Sequence, residues 1–155
     1  MNKVLLGKYV NTHGLKGEIR IKSNFPYKSK VFKINSEIII NDVSYIIKSY
    51  RVHKDYDMVT LDGINSINEI PFPKNTKVFI DRDKFLDKND YLDSDLIGFI
   101  VYNSKIEREV SNIIYINDKK KLIQTDEGYI PFELVKDIDL ENKRILIEEV
   151  DGLWK

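Results

Sequence analysis

The stretch that decides the fold is Gly7–Ser23, GKYVNTHGLKGEIRIKS. Val4 to Val10 and Glu18 to Lys22 read as two β-strands, and Asn11 to Gly17 between them as a tight loop. Glycine reaches positive φ without steric cost and lets a neighbouring backbone come close, so Gly14 and Gly17 predict a loop of fixed shape. After the loop, Glu18, Arg20 and Lys22 alternate with Ile19 and Ile21, which puts charge on one strand face and hydrocarbon on the other. Arg20 and Lys22 then share a face close to the loop that carries His13 and Lys16. Two readings stand at this point: a surface presenting these groups to a partner, or a hairpin with an ordinary solvated face.

Outward from the hairpin the strand signals recur. Ser36 to Ile40, Val43 to His53, Asp57 to Leu61 and Thr76 to Ile80 are β-type runs, punctuated by turn residues such as Asn41-Asp42 and Asp62-Gly63. Asn24 to Lys33, with Pro26, reads as a loop. Ile64, Ile67 and Ile70 recur every third residue and predict one or two helical turns, with Asn65 or Ser66 as N-cap and Pro71 and Pro73 as the stop. Six strands and one short helix in about 80 residues predict a closed β-barrel. The aspartate-rich Asp81 to Asp93 is the linker candidate, giving an N-terminal domain 1–84, an acidic linker 85–94 and a C-terminal domain 95–155. In the last of these, Leu96 to Tyr102, Glu109 to Ile116, Lys121 to Thr125, Gly128 to Pro131 and Arg144 to Glu149 read as strands, with a helical turn over Phe132 to Ile138. Short strands at this spacing predict a second small all-β barrel.

Charge divides along the same line. The 155 residues balance at 25 cations and 25 anions, but Met1 to Lys84 holds 12 Lys and 3 Arg against 9 acids, and Phe85 to Lys155 holds 8 Lys and 2 Arg against 16. A basic first half suits polyanion phosphates, where Lys and Arg gain affinity by releasing counterions. An acidic second half suits a basic partner. The chain is 42% hydrophobic, enough to build a core, and has no cysteine, which excludes disulfides and thiolate metal sites and fits a reducing compartment. Nothing in it approaches the ~18 apolar residues of a membrane span, and MNKVLLGKYV lacks the apolar core of a signal peptide. A soluble cytoplasmic protein without a membrane partner is expected.

Catalytic patterns are missing: there is no nucleophile elbow, phosphate-cradling glycine loop or dinucleotide fingerprint. His13 and His53 lie forty residues apart without carboxylates at ligand spacing, so they are not expected to converge on a metal. Asp81, Asp83 and Asp87 lack the glycine and glutamate placement of a calcium loop. A small enzyme using a carboxylate of the acidic half would need a deep pocket with a perturbed acid, and no compact residue set nominates one. No cofactor is expected. Tyr91 reads either as an exposed anchor or as a residue fastening the linker, Phe132 as a core residue, and Trp154 as packing on a barrel mouth.

The quoted stretch resembles the N-terminal signature of the RimM family of ribosome maturation factors. The likeness continues through RVHKDYDMVTLDGINSINEI, DLIGF, YIPF and VKDIDLENKRILIEEVDGLW, in the family's order and spacing. It implies an all-β protein with an N-terminal six-stranded barrel and a C-terminal PRC-type barrel. The family is non-enzymatic and assists maturation of the small-subunit head and processing of its RNA by binding small-subunit ribosomal protein nineteen. The signature falls on Gly7, His13, Gly14, Gly17 and Arg20, then on Arg51 and His53, on Asp95, Leu96, Ile97 and Gly98, and on Ile130, Pro131 and Phe132. The family's paired tyrosines before DLIG fall here on Tyr91 and Leu92, and its glycine-containing stretch on Lys105 to Val110, which has no glycine.

Together these readings expect Tyr91, Leu92, Asp95, Pro131 and Phe132 to meet the protein partner. His13, Gly14, Lys16, Gly17, Arg20 and Lys22 are expected to touch ribosomal RNA or another element of the immature small subunit. The protein would act as a monomer. The other course is a general RNA-binding module without a dedicated protein partner.

Overall fold

The structure is a computed structural model that describes residues 1–151; Trp154 lies outside the described residues. The chain separates into two compact units, Met1–Asp87 and Lys88–Lys155.

The first unit contains β1 (Lys3–His13), β2 (Glu18–Lys22), β3 (Glu37–Ile40), β4 (Val43–His53), β5 (Tyr56–Leu61) and β6 (Lys77–Asp81). Pairing runs β1-β2-β5-β4-β3-β6 and returns to β1, so each strand is hydrogen-bonded on both sides. A closed ladder leaves no edge to recruit another chain. Ile19, Ile21, Ile38, Ile40, Ile47 and Ile80 are fully buried, the first two as their alternation with Glu18, Arg20 and Lys22 requires.

β1 pairs with both β2 and β6, and glycine allows it. A Cβ on Gly7 would lie 2.4 Å from the Lys22 carbonyl oxygen, and the β1–β6 register shifts between Leu5 and Gly7. β1 also runs further than expected: Asn11, Thr12 and His13 pair with Arg20, Ile19 and Glu18, so the loop shrinks to a turn ending at Gly17. Their polar side chains had suggested a loop, but cross-strand pairing with β2 outweighs that preference. Gly17 has φ +88°, and a Cβ there would meet Ile64 Cγ2 at 3.1 Å. The Ile67 N–H donates to the Leu15 carbonyl at 3.2 Å, which ties the turn down.

Two local readings need correction. Asn24 to Lys33 contains a short helix, α1 (Lys28–Val31), beneath which Val31 is buried. Of the turns expected over Ile64 to Ile70, only a 3-10 turn, Ile67–Glu69, forms, and Ser66 makes no side-chain cap. A three-residue apolar spacing is the period of the 3-10 helix itself.

α1 also supplies the partner of a buried acid. Asp57, 3% exposed, accepts from Tyr50 Oη at 2.7 Å and from Lys28 Nζ at 2.8 Å. Burial first, then the Asp57 hydrogen bond and charge, pushes the Tyr50 phenol up to about 12. The Tyr50 ring stacks on Phe32 at 5.4 Å, so this polar contact is continuous with the core.

A short helix, α2 (Arg82–Phe85), follows β6, its first turn capped by the Asp81 carboxylate accepting from the Asp83 N–H. The second unit contains β7 (Ile100–Tyr102), β8 (Glu107–Glu109), β9 (Asn112–Ile116), β10 (Lys120–Thr125), β11 (Gly128–Pro131), β12 (Val135–Asp139) and β13 (Arg144–Ile147). They form two sheets, β11-β10-β9 and β12-β13-β7-β8, over a core of Leu96, Phe99, Val101, Val110, Ile123, Ile130, Ile145 and Ile147. The unit is all-β as expected, with its ladder in two sheets instead of one ring. The strand expected over Glu109 to Ile116 is two strands. Val110 exchanges hydrogen bonds with Gly98 and Phe99, whereas the Ser111 N–H donates to Gln124, so the chain changes sheets between them. Of the expected turn over Phe132 to Ile138, only Phe132–Leu134 is 3-10; β12 takes the rest by pairing with β13. The strand expected from Leu96 starts at Ile100, after a 3-10 turn over Asp93–Leu96.

Removing the Asp57 carboxylate orphans a phenol and an ammonium, at a cost held down by the partial exposure of Lys28. Asp57→Ala is expected to lower unfolding free energy by roughly 2–3 kcal/mol in urea titration, and Asp57→Asn by less, since it still accepts from Tyr50. An alanine variant as stable as the parent would contradict the assignment. Gly17→Ala is expected to cost about 1–2 kcal/mol from its left-handed backbone alone.

Candidate interaction surfaces

With Ile19 and Ile21 turned into the core, β2 presents Glu18, Arg20 and Lys22 on the outer face. Residues directly opposite in a ladder share a face. Asn11 and His13 of β1 are opposite Arg20 and Glu18, while Met58 of β5 lies between Arg20 of β2 and Arg51 of β4. Flanked by two arginine stems, Met58 is fully buried even on this side.

Arg20 is the hub of the face. Nη1 donates to Asn11 Oδ1 at 3.3 Å, and Nη2 lies 2.7 Å from His13 Nδ1. A guanidinium has no lone pair, so His13 Nδ1 accepts and Nε2 carries the ring proton. The Arg20 guanidinium and the Lys22 ammonium both lie over the Tyr56 ring, 5.8 and 5.7 Å from its centroid. Such pairs hold cations in place while leaving much of their charge outward.

Arg51 engages Glu18 through two parallel bonds, Nε at 2.9 Å and Nη2 at 2.7 Å. This pair holds the Glu18 carboxyl below its usual range. The His53 ring lies 5.4 Å from that of His13. The β1–β2–β5–β4 ladder thus brings together two histidines that are distant in sequence, a long-range effect that sequence distance hides. Glu18, the carboxylate that feels both histidines, is committed to Arg51, and no group of three metal-ligating side chains occurs among the described residues.

Of the six first-unit candidates, Arg20 and His13 are directly bonded and Lys22 shares the Tyr56 ring with Arg20. Gly14 and Gly17 shape the turn, at whose exposed tip Lys16 sits beside Leu15, 75% exposed. Arg51, His53, Tyr56 and Leu15 belong to this surface without having been singled out as contacts. Their signal was the outward set Ser49, Arg51 and His53 on β4, which needs the neighbouring strand to acquire meaning.

In the second unit, Tyr91 and Phe132 pack against the core. Phe132 is further covered by Lys121 Nζ, 3.9 Å above its ring, and that ammonium pairs with Asp93 at 2.6 Å. Tyr115 Oη donates to the same Asp93 at 3.0 Å, and burial with this contact raises its pKa. The Asp95 carboxylate accepts from the Leu92 N–H at 2.8 Å and so shapes the turn that carries Leu92, which is half-buried. Pro131 lies on a different surface. Leu122 pairs with Ile114 and Pro131, on the side of the sheet opposite the core pair Ile123 and Ile130. Tyr129, 51% exposed, and Ile116, 46% exposed, extend this apolar row. Among the described residues no helix is long and apolar enough to cross a membrane.

Burial, together with the positive charge of Arg51 and Lys54, holds the His53 imidazole below its ordinary 6.5. As pH falls through 6.5 the unfolded chain takes up this proton before the folded one, so His53 makes mild acidification destabilising. Glu18 acts in the same direction at lower pH: its stabilisation is present above the unfolded carboxyl value and lost as pH falls through the depressed one. The His53 ring resonances are expected to titrate below 6.5, and to move upward in Arg51→Gln. A midpoint above 6.5 would remove the cationic cluster from the account.

Comparison with known proteins agrees with the signature read above. The RimM N-terminal domain pattern matches residues 4–85. Ribosome maturation factor RimM of Staphylococcus aureus strain bovine RF122 / ET3-1 is 37% identical, covering 97% of this chain and 98% of that protein. Its counterpart in strain MRSA252 is 36% identical with the same coverage. Among solved structures, that of a 16S ribosomal RNA processing protein RimM from Pseudomonas aeruginosa aligns at TM-score 0.47 and 16% identity, covering 96% of this chain and 98% of that one. The solution structure of the N-terminal domain of RimM from Thermus thermophilus aligns at 0.48 and 15% identity, covering 56% of this chain and 98% of that one. By its sequence matches, which span nearly its full length, the chain belongs to the RimM family.

Proposed function

We propose that this protein is a non-enzymatic ribosome maturation factor of the small subunit, acting in the cytoplasm on the head and the processing of its RNA. The observation that carries this is the near full-length match to proteins named ribosome maturation factor RimM. In this reading the first unit is a six-stranded barrel, the second a PRC-type barrel, and the boundary between their roles lies near residues 85–94.

The second unit holds small-subunit ribosomal protein nineteen. The 16 acids of Phe85 to Lys155 attract a basic protein and mainly raise the association rate. A desolvated anchor is still needed. Tyr91 and Phe132 are largely spent on the core, so Leu92 and the exposed Tyr129 and Ile116, with the half-buried Ile114 and Pro131 beside them, are the better anchors. The outer face of β1, β2, β5 and β4 faces ribosomal RNA. Lys16, Lys22 and Arg20 supply charge, and Tyr56 keeps the last two in place.

The cationic face also favours the second reading, an RNA-binding module alone. One experiment separates them: titration of the full chain with purified small-subunit ribosomal protein nineteen and, separately, with RNA from the small-subunit head. The proposal expects binding to both. Tyr129→Ala with Ile116→Ser is expected to weaken protein binding about tenfold, and Lys22→Glu to weaken RNA binding and lower the salt slope by about 1. Binding to RNA alone would favour the second reading, and binding to neither would overturn both.

A further inference from the structure

Away from these two surfaces, the first unit has an open cleft of about 610 Å³ where α1, the start of β3, the middle of β4 and α2 come together. Lys30, Lys33 and Lys84 bring positive charge to it, and Ile34, Ile46 and Phe85 give it an apolar wall. Glu37, its one lining carboxylate, is already committed. It accepts from Lys84 Nζ at 2.7 Å and from Ser44 Oγ at 2.8 Å, which holds its carboxyl below the usual range. Lys30 lies 3.7 Å from Asp87, while Lys33 makes no ion pair among the described residues. The lining therefore has a surplus of positive charge.

Ser36 supplies the second, independent observation. It lines the cleft and is 6% exposed, and its buried Oγ has no hydrogen-bond partner. Its backbone is fixed, with the N–H donating to Lys33 at 3.2 Å and the carbonyl accepting from Ile47 at 2.9 Å. Buried hydroxyls nearly always have a partner, and an unpaired one in a cationic cleft is suited to donate to an anion. A phosphate alone would leave the apolar wall unused, whereas a nucleotide occupies both parts.

We propose that this cleft binds a nucleotide, its phosphate held by Lys33 and the Ser36 hydroxyl and its base lying against Ile34, Ile46 and Phe85. The nucleotide is either free or one unit of an RNA strand. This site is distinct from the outer face and does not depend on the proposed role in ribosome maturation.

The test titrates the full chain at low salt with uridine monophosphate and with a labelled single-stranded oligouridine. Binding of the mononucleotide supports the cleft with a free ligand; binding of the oligonucleotide alone supports it with a strand. In either case Ser36→Ala and Lys33→Ala are expected to weaken binding about tenfold. Melting temperature is expected to hold or rise in Ser36→Ala, because the variant deletes an unpaired hydroxyl. Failure of both probes to bind overturns the proposal. So does an RNA signal that neither variant changes, which belongs to the outer face, and so does a marked fall in Ser36→Ala melting temperature, which makes the hydroxyl structural. Titration of the same variants with ribosomal protein nineteen reads the proposed function separately, and there they are expected to behave as the parent.

Discussion

Everything in the first unit depends on β1 serving two neighbours at once. A strand that pairs with β2 along one side and β6 along the other must bend, and it bends where Gly7 allows the Lys22 carbonyl to approach. Any side chain at that position would collide with backbone, which has nowhere to move without opening the ladder. Closure in turn orders the face. Because β1, β2, β5 and β4 are held in fixed register, Asn11, Arg20, Met58 and Arg51 form one lateral series across four strands, with His13 bonded to Arg20 from one side. The series is held by charge-assisted bonds in place of hydrocarbon packing, yet it buries Met58 completely.

That arrangement explains how a charged surface can be rigid. Long cationic side chains ordinarily lose conformational freedom when they bind. Here Arg20 is already fixed by Asn11 and His13, Arg51 by Glu18, and Lys22 rests against Tyr56. Side chains ordered before contact lose less entropy on binding. The second unit presents an opposite character, with an acidic composition and an apolar sheet face. The two units therefore suit partners of different chemistry.

The first unit was legible because β2 alternates cleanly, its other strands are rich in Ile, Val and Tyr, and its turns carry glycine, asparagine or aspartate. Ile19 and Ile21 against Glu18, Arg20 and Lys22 declare a buried and an exposed side without help from neighbours. What stayed hidden was lateral: nothing local says that Arg51 meets Glu18 or that His53 meets His13, because those contacts arise only once β4, β5 and β2 are aligned. The second unit was harder for a related reason. β7 and β8 are three residues long, too short to show a period, and β7 pairs in parallel with the distant β13. The break at Val110 and Ser111 carries no glycine or proline, since a change of sheet is made by hydrogen-bond partners and not by a turn residue. At Phe132 the sequence pointed to burial and family resemblance to docking. The structure packs it against the core under Lys121.

The central claim is that the ordered cationic face of the first unit meets RNA in the immature small subunit. Lysine-reactivity footprinting of the full chain, alone and bound to immature small subunits, tests it most directly. The account expects Lys16 and Lys22 to lose reactivity on binding. Stable binding that leaves both lysines as reactive as in the free protein would contradict it.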